Sequence, residues 1–189
     1  AVGARVESGD PHVVDSFDVL TGGRVTHGEL RRHAESFFQA NRFLVPDLAT
    51  AVLDSVSAGP VLDLYAGVGL FSIALARAGL REITAVEGDR MSGIDLQDNA
   101  RSAADAVGVV HDSVEHFLQA SLSRSGSRPG TVIVDPPRTG ISAEAMTSLV
   151  KIGAPRLVYV SCDPATMARD ARRLLDGRYR LESLRRNIA

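Results

Sequence analysis

The sequence lacks several features that would place it outside the soluble globular proteins. It contains one cysteine, Cys162, which excludes an internal disulfide framework and makes the reducing cytoplasm the expected compartment. No apolar run approaches the roughly 18 residues that a membrane-spanning helix needs, and no signal peptide is recognisable, so no membrane partner is expected. The hydrophobic fraction of 44% and the charged fraction of 23% are typical of a folded chain, and 189 residues fit one domain.

Lysine is almost absent, since Lys151 is the single lysine among 21 basic residues. The net charge of -2 gives no overall sign of a nucleic-acid partner. Genomic base composition explains the excess of arginine as readily as function does. The end of the chain nevertheless concentrates basic side chains that could attract phosphates, namely Arg169, Arg172, Arg173, Arg178, Arg180, Arg185 and Arg186.

From about Asp47 onward, strand-like apolar runs alternate with amphipathic helical stretches, which predicts a parallel sheet wound by crossover helices. The predicted strands are Val61–Tyr65, Ile83–Glu87, Val107–His111, Thr131–Asp135 and Leu157–Ser161, with an edge strand near Tyr179–Leu184. The predicted helices are Asp47–Ser57, Leu70–Ala78, Arg90–Ala104, Val114–Ser121, Ala143–Ile152 and Pro164–Leu175. Residues 1–46 predict a partial N-terminal extension with short strands, a turn at Gly22–Gly23 and a helix-leaning segment around Phe37–Asn41; residues 47–189 form the main α/β domain.

A glycine turn ends the first strand of that domain, in the segment DLYAGVGLFS. Gly67 and Gly69 suit a tight turn that a ligand approaches closely, which favours nucleotide binding over a purely structural turn. A dinucleotide fingerprint requires a third glycine where Ser72 stands, and Asp63 before the turn is more typical of methyltransferases than of dehydrogenases.

Two acids follow the next strands. Glu87 ends its strand 20 residues beyond Gly67, where a carboxylate can accept both ribose hydroxyls. Asp112 follows the third strand and is expected to reach the adenine amino group. The plainer alternatives are that Glu87 is a surface acid and that Asp112 is the N-cap of the next helix.

A proline-rich corner, DPPRTG, follows the fourth strand and cannot continue a ladder of hydrogen bonds. Asp135 is expected to present an acceptor to the ligand space, and Arg138 to bind a phosphate or the edge of a base. The fifth strand runs into Cys162, just before a helix N-terminus whose dipole favours a thiolate. A lone cysteine is more often a small buried hydrophobe, but its place at the same sheet edge favours a nucleophile.

These segments resemble the RNA 5-methyluridine methyltransferases, which modify uridines in transfer RNA and large-subunit ribosomal RNA. The resemblance runs from Ser36 to Asp170, where FFQAN looks like the F-x-Q-x-N motif, DLYAGVGLFS like the first methyltransferase motif, DPPRTG like the fourth and YVSCDPATMARD like the nucleophile motif. It implies a class I methyltransferase fold, Rossmann-like and doubly wound, with S-adenosylmethionine as cofactor and an RNA uridine as partner. Some members carry an iron–sulfur cluster on four cysteines, which one cysteine cannot hold, so neither a metal nor a cluster is expected in this chain. The residues implied to bind the cofactor are Gln39, Tyr65, Gly67, Gly69, Glu87, Asp112 and Asp135.

The resemblance also implies the chemistry. Cys162 would attack carbon 6 of uracil and so activate carbon 5 for methyl transfer, with Asp135 and Arg138 stabilising the altered ring. Three departures stand against this: Leu70 replaces an asparagine of some members, and neither the N-terminal RNA-binding domain of many members nor the C-terminal glutamate that serves as their final base is recognised in these 189 residues. The last departure predicts an adduct that resolves slowly.

Three alternatives remain open from the sequence. The first is a truncated or inactive domain that binds S-adenosylmethionine, and the second is an amino-methyltransferase acting on a nucleobase, for which Cys162 would be dispensable. The third is a nicotinamide-dependent oxidoreductase, which Ser72 argues against. The sequence leaves open which uridine is modified and which oligomer forms.

Overall fold

The structure, a computed structural model, describes residues 9–39, 41–57, 59–103, 105–123 and 128–185. Its strands, in chain order, are β1 (His12–Ser16), β2 (Glu29–His33), β3 (Val61–Leu64), β4 (Ile83–Glu87), β5 (Val107–His111), β6 (Thr131–Val134) and β7 (Arg156–Tyr159). Its helices are α1 (Phe17–Leu20), α2 (Val45–Ser55), α3 (Leu70–Arg77), α4 (Arg90–Arg101), α5 (Val114–Leu122), α6 (Ala143–Ile152) and α7 (Pro164–Asp176).

The main sheet is parallel, with the strands in the order β5-β4-β3-β6-β7. Every residue of β3 and of β6 is buried, because helices cover both faces of the sheet at its centre. The chain builds outward from β3 to β5 and then crosses to β6 on the other side of β3. This reversal creates a crevice beyond the carboxyl ends of β3 and β6, which is where such sheets bind ligands. The predicted α/β doubly wound fold is confirmed.

Polar caps start the helices that leave this edge of the sheet. Asp89, Ser113, Ser142 and Asp163 each accept a hydrogen bond from a backbone N–H in the first turn of α4, α5, α6 and α7. Such caps satisfy donors that the helix itself leaves free. Each loop is therefore fixed at one end by the hydrogen bonds of its strand and at the other end by the cap of its helix.

The N-terminal segment forms an antiparallel hairpin of β1 and β2 that packs on α4. The helix predicted around Phe37–Asn41 is wrong: residues 37–39 and 41 are irregular, and residue 40 lies outside the described residues. Tertiary contacts explain the difference, because Phe38 packs beneath the Arg32 guanidinium, 4.4 Å from its ring centre, and Gln39 bonds to a side chain of the main sheet. Helix α2 begins at Val45, two residues before the predicted start.

The predicted edge strand near Tyr179–Leu184 is also wrong, since none of these residues pairs with β7. The chain instead folds back on the end of α7, where the Tyr179 N–H donates to the carbonyl of Leu174. Tyr179 packs partly against the core, but Leu181 and Leu184 are each 65% exposed, so the alternating apolar face that would hold a strand in the sheet is not buried. Within the described residues, no helix combines the length and hydrophobicity that crossing a bilayer requires.

Candidate active site

Five loops meet along the carboxyl edge of the sheet. In spatial order they carry Asp112 after β5, Glu87 at the end of β4, Tyr65 after β3, Asp135 after β6 and Cys162 after β7. Neighbouring strands lie about 4.8 Å apart, so β3 and β7 are separated by about 10 Å. The edge thus divides into a half that contains the glycine turn and a half that contains the cysteine, with Asp135 between them.

The glycine turn adopts backbone conformations that require glycine. Gly69 has φ 96° and caps α3, and a Cβ added there would approach Leu96 Cδ1 to 2.7 Å. Gly67 has φ 56°, and a Cβ added there would meet no described atom within 4 Å. Open space above Gly67 is what close approach of a ligand to the backbone needs. Tyr65 starts the turn with φ 59°, an uncommon conformation for a residue with a side chain.

Ser72 stands where a dinucleotide fingerprint has its third glycine, and its side chain has a structural role there. Its hydroxyl is fully buried and donates to Oδ2 of Asp63, which lies at 0% exposure inside β3. Oδ1 of Asp63 has no hydrogen-bond partner among the described residues. Burial, reinforced by the charges of Asp135 and Glu87, raises the pKa of Asp63 from 3.8 to about 7 despite the hydrogen bond from Ser72. The base of the turn is therefore a serine–carboxyl pair in place of a glycine packing contact.

Glu87 links β4 to the glycine turn. Its Oε2 accepts from the Gly67 N–H at 2.7 Å, and its Oε1 accepts from the Asp89 N–H at 2.6 Å. At 9% exposure it is not the surface acid of the plainer alternative. Each carboxylate oxygen has a second lone pair, so Glu87 can still accept from a bound ligand.

Asp112 is partly exposed and lies at the far end of the edge. The N-cap of α5 is Ser113, so the alternative role of Asp112 as that cap is wrong. Its carboxylate accepts from the Ser113 N–H and lies 2.5 Å from Nδ1 of His116. The hydrogen bond with His116 is the main cause that lowers the pKa of Asp112. Asp112 is thus an ionised acceptor at the rim.

Asp135 is joined to the N-terminal segment across the centre of the edge. Nε2 of Gln39 donates to Asp135 Oδ2 at 2.9 Å, between residues 96 positions apart in the sequence. Burial raises the pKa of Asp135 from 3.8 to about 6, and the hydrogen bond from Gln39 opposes this rise. Above that pH, Asp135 is a carboxylate with acceptor lone pairs beyond the one that Gln39 uses.

Cys162 is exposed at the end of β7, so it is not the buried hydrophobe that a lone cysteine often is. It directly precedes Asp163, the cap of α7. Arg138 is also exposed. Hydrogen bonds from Thr166 are the main cause that lowers the pKa of Asp163, and the positive charge of Arg138 adds a smaller effect in the same direction. The carbonyl of Arg138 accepts from the Thr166 hydroxyl at 3.0 Å, so the proline-rich turn lies against the first turn of α7. Arg138 and Cys162 therefore occupy adjoining loops.

Two residues of α4, which sequence patterns did not identify, hold the backbone of the glycine turn and the segment that carries Gln39. Asn99 donates to the carbonyl of Val68 in the glycine turn at 2.9 Å, and it bonds to both backbone groups of Arg31. Asp95 accepts from the hydroxyl of Ser36 at 2.6 Å, three residues before Gln39. Both are buried polar side chains on a helix, which in the sequence resemble ordinary surface positions. Only their burial against the hairpin reveals the role.

Comparison with known proteins decides the family. The sequence matches the model of the tRNA (uracil-5-)-methyltransferases over residues 13–183. The chain belongs to that family. The family resemblance found in the sequence motifs is thereby confirmed, and the segment matched includes both the N-terminal hairpin and the parallel sheet.

Individual relatives agree with this family. An uncharacterized RNA methyltransferase of Protochlamydia amoebophila is 32% identical over 151 residues, covering 78% of this chain and 34% of the relative. The 23S rRNA (uracil(1939)-C(5))-methyltransferase of Pseudomonas fluorescens is 40% identical over 129 residues, covering 65% of this chain and 26% of that enzyme. The crystal structure of the Pyrococcus abyssi tRNA (uracil-54, C5)-methyltransferase with S-adenosyl-L-homocysteine is 27% identical, with a TM-score of 0.72 over 88% of this chain and 38% of that one. The chain thus spans about a third of the length of the curated relatives it matches.

Proposed function

We propose that this chain is a catalytic domain that transfers a methyl group from S-adenosylmethionine to carbon 5 of a uridine in tRNA or rRNA through a covalent adduct with Cys162. The observation that carries the proposal is the exposed thiol on the loop beside Asp135 and Arg138, at the same edge as the glycine turn. Relatives in the family are named for methylation of uracil carbon 5 in tRNA and in 23S rRNA.

The residues present fit S-adenosylmethionine. The space above Gly67 is open, and Glu87 offers acceptor lone pairs to a ribose next to it. Asp112, Tyr65 and Gln39 would complete the contacts along the same half of the edge. When bound, the cofactor supplies an electrophilic methyl group on a sulfonium.

Asp135 and Arg138 match the edge of uracil. Uracil presents one N–H donor between two carbonyl oxygens; Asp135, ionised above pH 6, offers an acceptor, and the Arg138 guanidinium offers donors. The same guanidinium would stabilise negative charge that develops on a ring oxygen. In a paired region the uridine would have to leave its stack to reach these groups.

Cys162 would supply the nucleophile. Its thiolate adds to carbon 6, which forms a carbon–sulfur bond and shifts the electron pair of the 5,6 double bond into an enolate. That shift makes carbon 5 nucleophilic, which uracil by itself is not. Carbon 5 would take the methyl group, and S-adenosylhomocysteine would leave. Transfer of the carbon 5 proton to a base would then allow the carbon–sulfur bond to break, which returns its electron pair to the Cys162 thiolate and restores the ring.

The test uses RNA that contains 5-fluorouridine, because fluorine blocks the final proton removal and traps the adduct. The chain is incubated with labelled S-adenosylmethionine and either a tRNA transcript or a 23S rRNA fragment, and a protein–RNA band that survives denaturation is measured. The expected band disappears in Cys162→Ala and persists in the neighbouring control Ser161→Ala. A band that survives Cys162→Ala refutes the mechanism, methylation unaffected by that change favours an amino-methyltransferase, and cofactor binding without any band indicates an inactive domain.

A further inference from the structure

A single carboxylate, that of Asp170 in α7, joins this helix to two other segments of the cysteine half of the site. Oδ2 accepts from the Ile141 N–H at 2.8 Å and from the Tyr159 hydroxyl at 2.8 Å. Oδ1 accepts from Nε of Arg169 at 2.9 Å. Ile141 follows the proline-rich turn and Tyr159 ends β7. Asp170 is at 0% exposure, so these partners carry most of the compensation for burying its charge.

The proline-rich turn is also held against α7 by its backbone. Gly140 has φ 80°, and a Cβ added there would overlap with the side chains of Asp170, Arg169 and Thr166. The Thr139 carbonyl accepts from Nη2 of Arg169 at 2.7 Å. The turn therefore sits directly on the helix, with no space for it to shift toward α7.

This geometry couples the two loops that carry the proposed chemistry. Arg138 belongs to the turn that Asp170 contacts through Ile141. Cys162 lies in the loop between Tyr159, which also donates to Asp170, and α7, to which Asp170 belongs. We infer that Asp170 is a positioning residue that sets where Arg138 lies relative to the Cys162 thiol. This inference rests on the proposed function, because it assigns importance to the distance between those two groups.

A carboxylate suits this place better than an amide. Oδ2 faces two donors and Oδ1 faces the Arg169 guanidinium, so every partner donates and no partner accepts. An asparagine at position 170 would turn its NH₂ group toward at least one of these donors. Asp170→Asn thus preserves side-chain volume while it breaks part of the coupling.

The matched control is Asp176→Asn, the same substitution in the same helix, where the carboxylate is exposed and pairs with Arg172. In Asp170→Asn we expect trapping on 5-fluorouridine RNA to slow about tenfold or more, because small misplacement of reacting groups is costly. Cofactor affinity, measured by calorimetry, should stay within about twofold, since Glu87 and Gly67 lie on the other half of the edge. Asp176→Asn should match the wild type in both.

A second readout does not depend on RNA. Cys162 is the only cysteine, so its rate of labelling by a thiol reagent reports on this loop alone. The labelling rate of Asp170→Asn should differ from that of Asp176→Asn by about threefold or more, and the Ile141 amide should lose protection from hydrogen exchange. Tyr159→Phe removes one donor to Asp170 and keeps the carboxylate, so it should change the labelling rate of Cys162 in the same way but less. This variant replaces Asp170→Asn in the test if Asp170→Asn does not fold.

The outcomes separate the two proposals. If the wild type traps no RNA but Asp170→Asn still alters Cys162 labelling, the methylation proposal fails and the positioning of the cysteine loop stands. If trapping and labelling in Asp170→Asn equal those of Asp176→Asn, the positioning role is refuted. Equal losses of cofactor affinity and trapping would show a general structural role instead, and would also overturn the inference.

Discussion

Asp63 provides a test of the electrostatics beneath the glycine turn. It is fully buried in β3, one of its oxygens has no partner among the described residues, and the other accepts from Ser72. Replacing it by asparagine keeps the shape and the acceptor for the Ser72 hydroxyl but removes the charge. We expect Asp63→Asn to gain stability relative to the wild type as the pH rises.

The size of this effect follows from the pKa of Asp63, which burial raises from 3.8 to about 7. Between these two values the native chain binds more protons than the unfolded chain, so the free energy of unfolding falls as the pH rises. At 1.36 kcal/mol for each pH unit, the full loss is about 4 kcal/mol, complete above about pH 7. About 3 kcal/mol of this loss lies between pH 4.5 and pH 8.5.

Urea unfolding followed by circular dichroism, repeated across that pH range, measures the difference between the wild type and Asp63→Asn. Taking the difference cancels groups that titrate alike in both chains. The control is Asp98→Asn on the exposed face of α4, where the carboxylate pairs with Arg101 and the change should stay below about 1 kcal/mol at every pH. If the difference in free energy of unfolding between the wild type and Asp63→Asn does not change with pH, burial does not raise the pKa of Asp63 and the reasoning is refuted.

Three further results are expected. Gly67→Ala should lower cofactor affinity about tenfold in calorimetry, because the added methyl group fills the open ligand space. The control Gly79→Ala lies at a similarly open position with positive φ; both substitutions should cost roughly 1–2 kcal/mol of stability, but Gly79→Ala should leave cofactor affinity unchanged. Equal cofactor affinities of the two variants would contradict this reasoning. Asn99→Ala should lower the free energy of unfolding, measured in urea, by about 3 kcal/mol, because it leaves the backbone groups of Arg31 and Val68 unpaired. A loss below about 1 kcal/mol would show that Asn99 does not hold the glycine turn. Gln39→Ala should raise the pKa of Asp135 above about 6 in a carboxyl NMR titration, because the amide hydrogen bond that lowers it is gone; an unchanged or lower value would show that the contact does not matter.

Local sequence signals predicted the parallel sheet well. The strands Ile83–Glu87 and Val107–His111 match the structure residue for residue, as does the helix Ala143–Ile152. Short apolar runs alternating with amphipathic stretches carry this information, because the central strands β3 and β6 are buried throughout and the helices bury one apolar face. The glycine turn was equally predictable, since its positive φ angles demand specific residues.

The failures lie where long-range contacts override local preference. The segment Phe37–Gln39 has residues that tolerate a helix, yet Arg32 and Asp135 hold its side chains in an irregular conformation. The strand predicted at Tyr179–Leu184 has suitable apolar residues, but Leu181 and Leu184 remain exposed and only Tyr179 packs against the core, so the segment does not pair with β7. Neither the contact between Gln39 and Asp135 nor the lack of a paired strand beside residues 179–184 can be seen in a local pattern.

The sequence by itself determined the fold class, the order of the strands along the chain, the glycine turn and the candidate residues at the strand ends, because these depend on local periodicity and on residue-specific backbone angles. Only the tertiary structure decided that Gln39 meets Asp135, that Asn99 holds the glycine turn and that Asp170 joins the proline-rich turn to β7. The identity of a polar residue in the sequence does not show whether its side chain will be buried or exposed. Its partners exist only once the chain has packed and water has been removed.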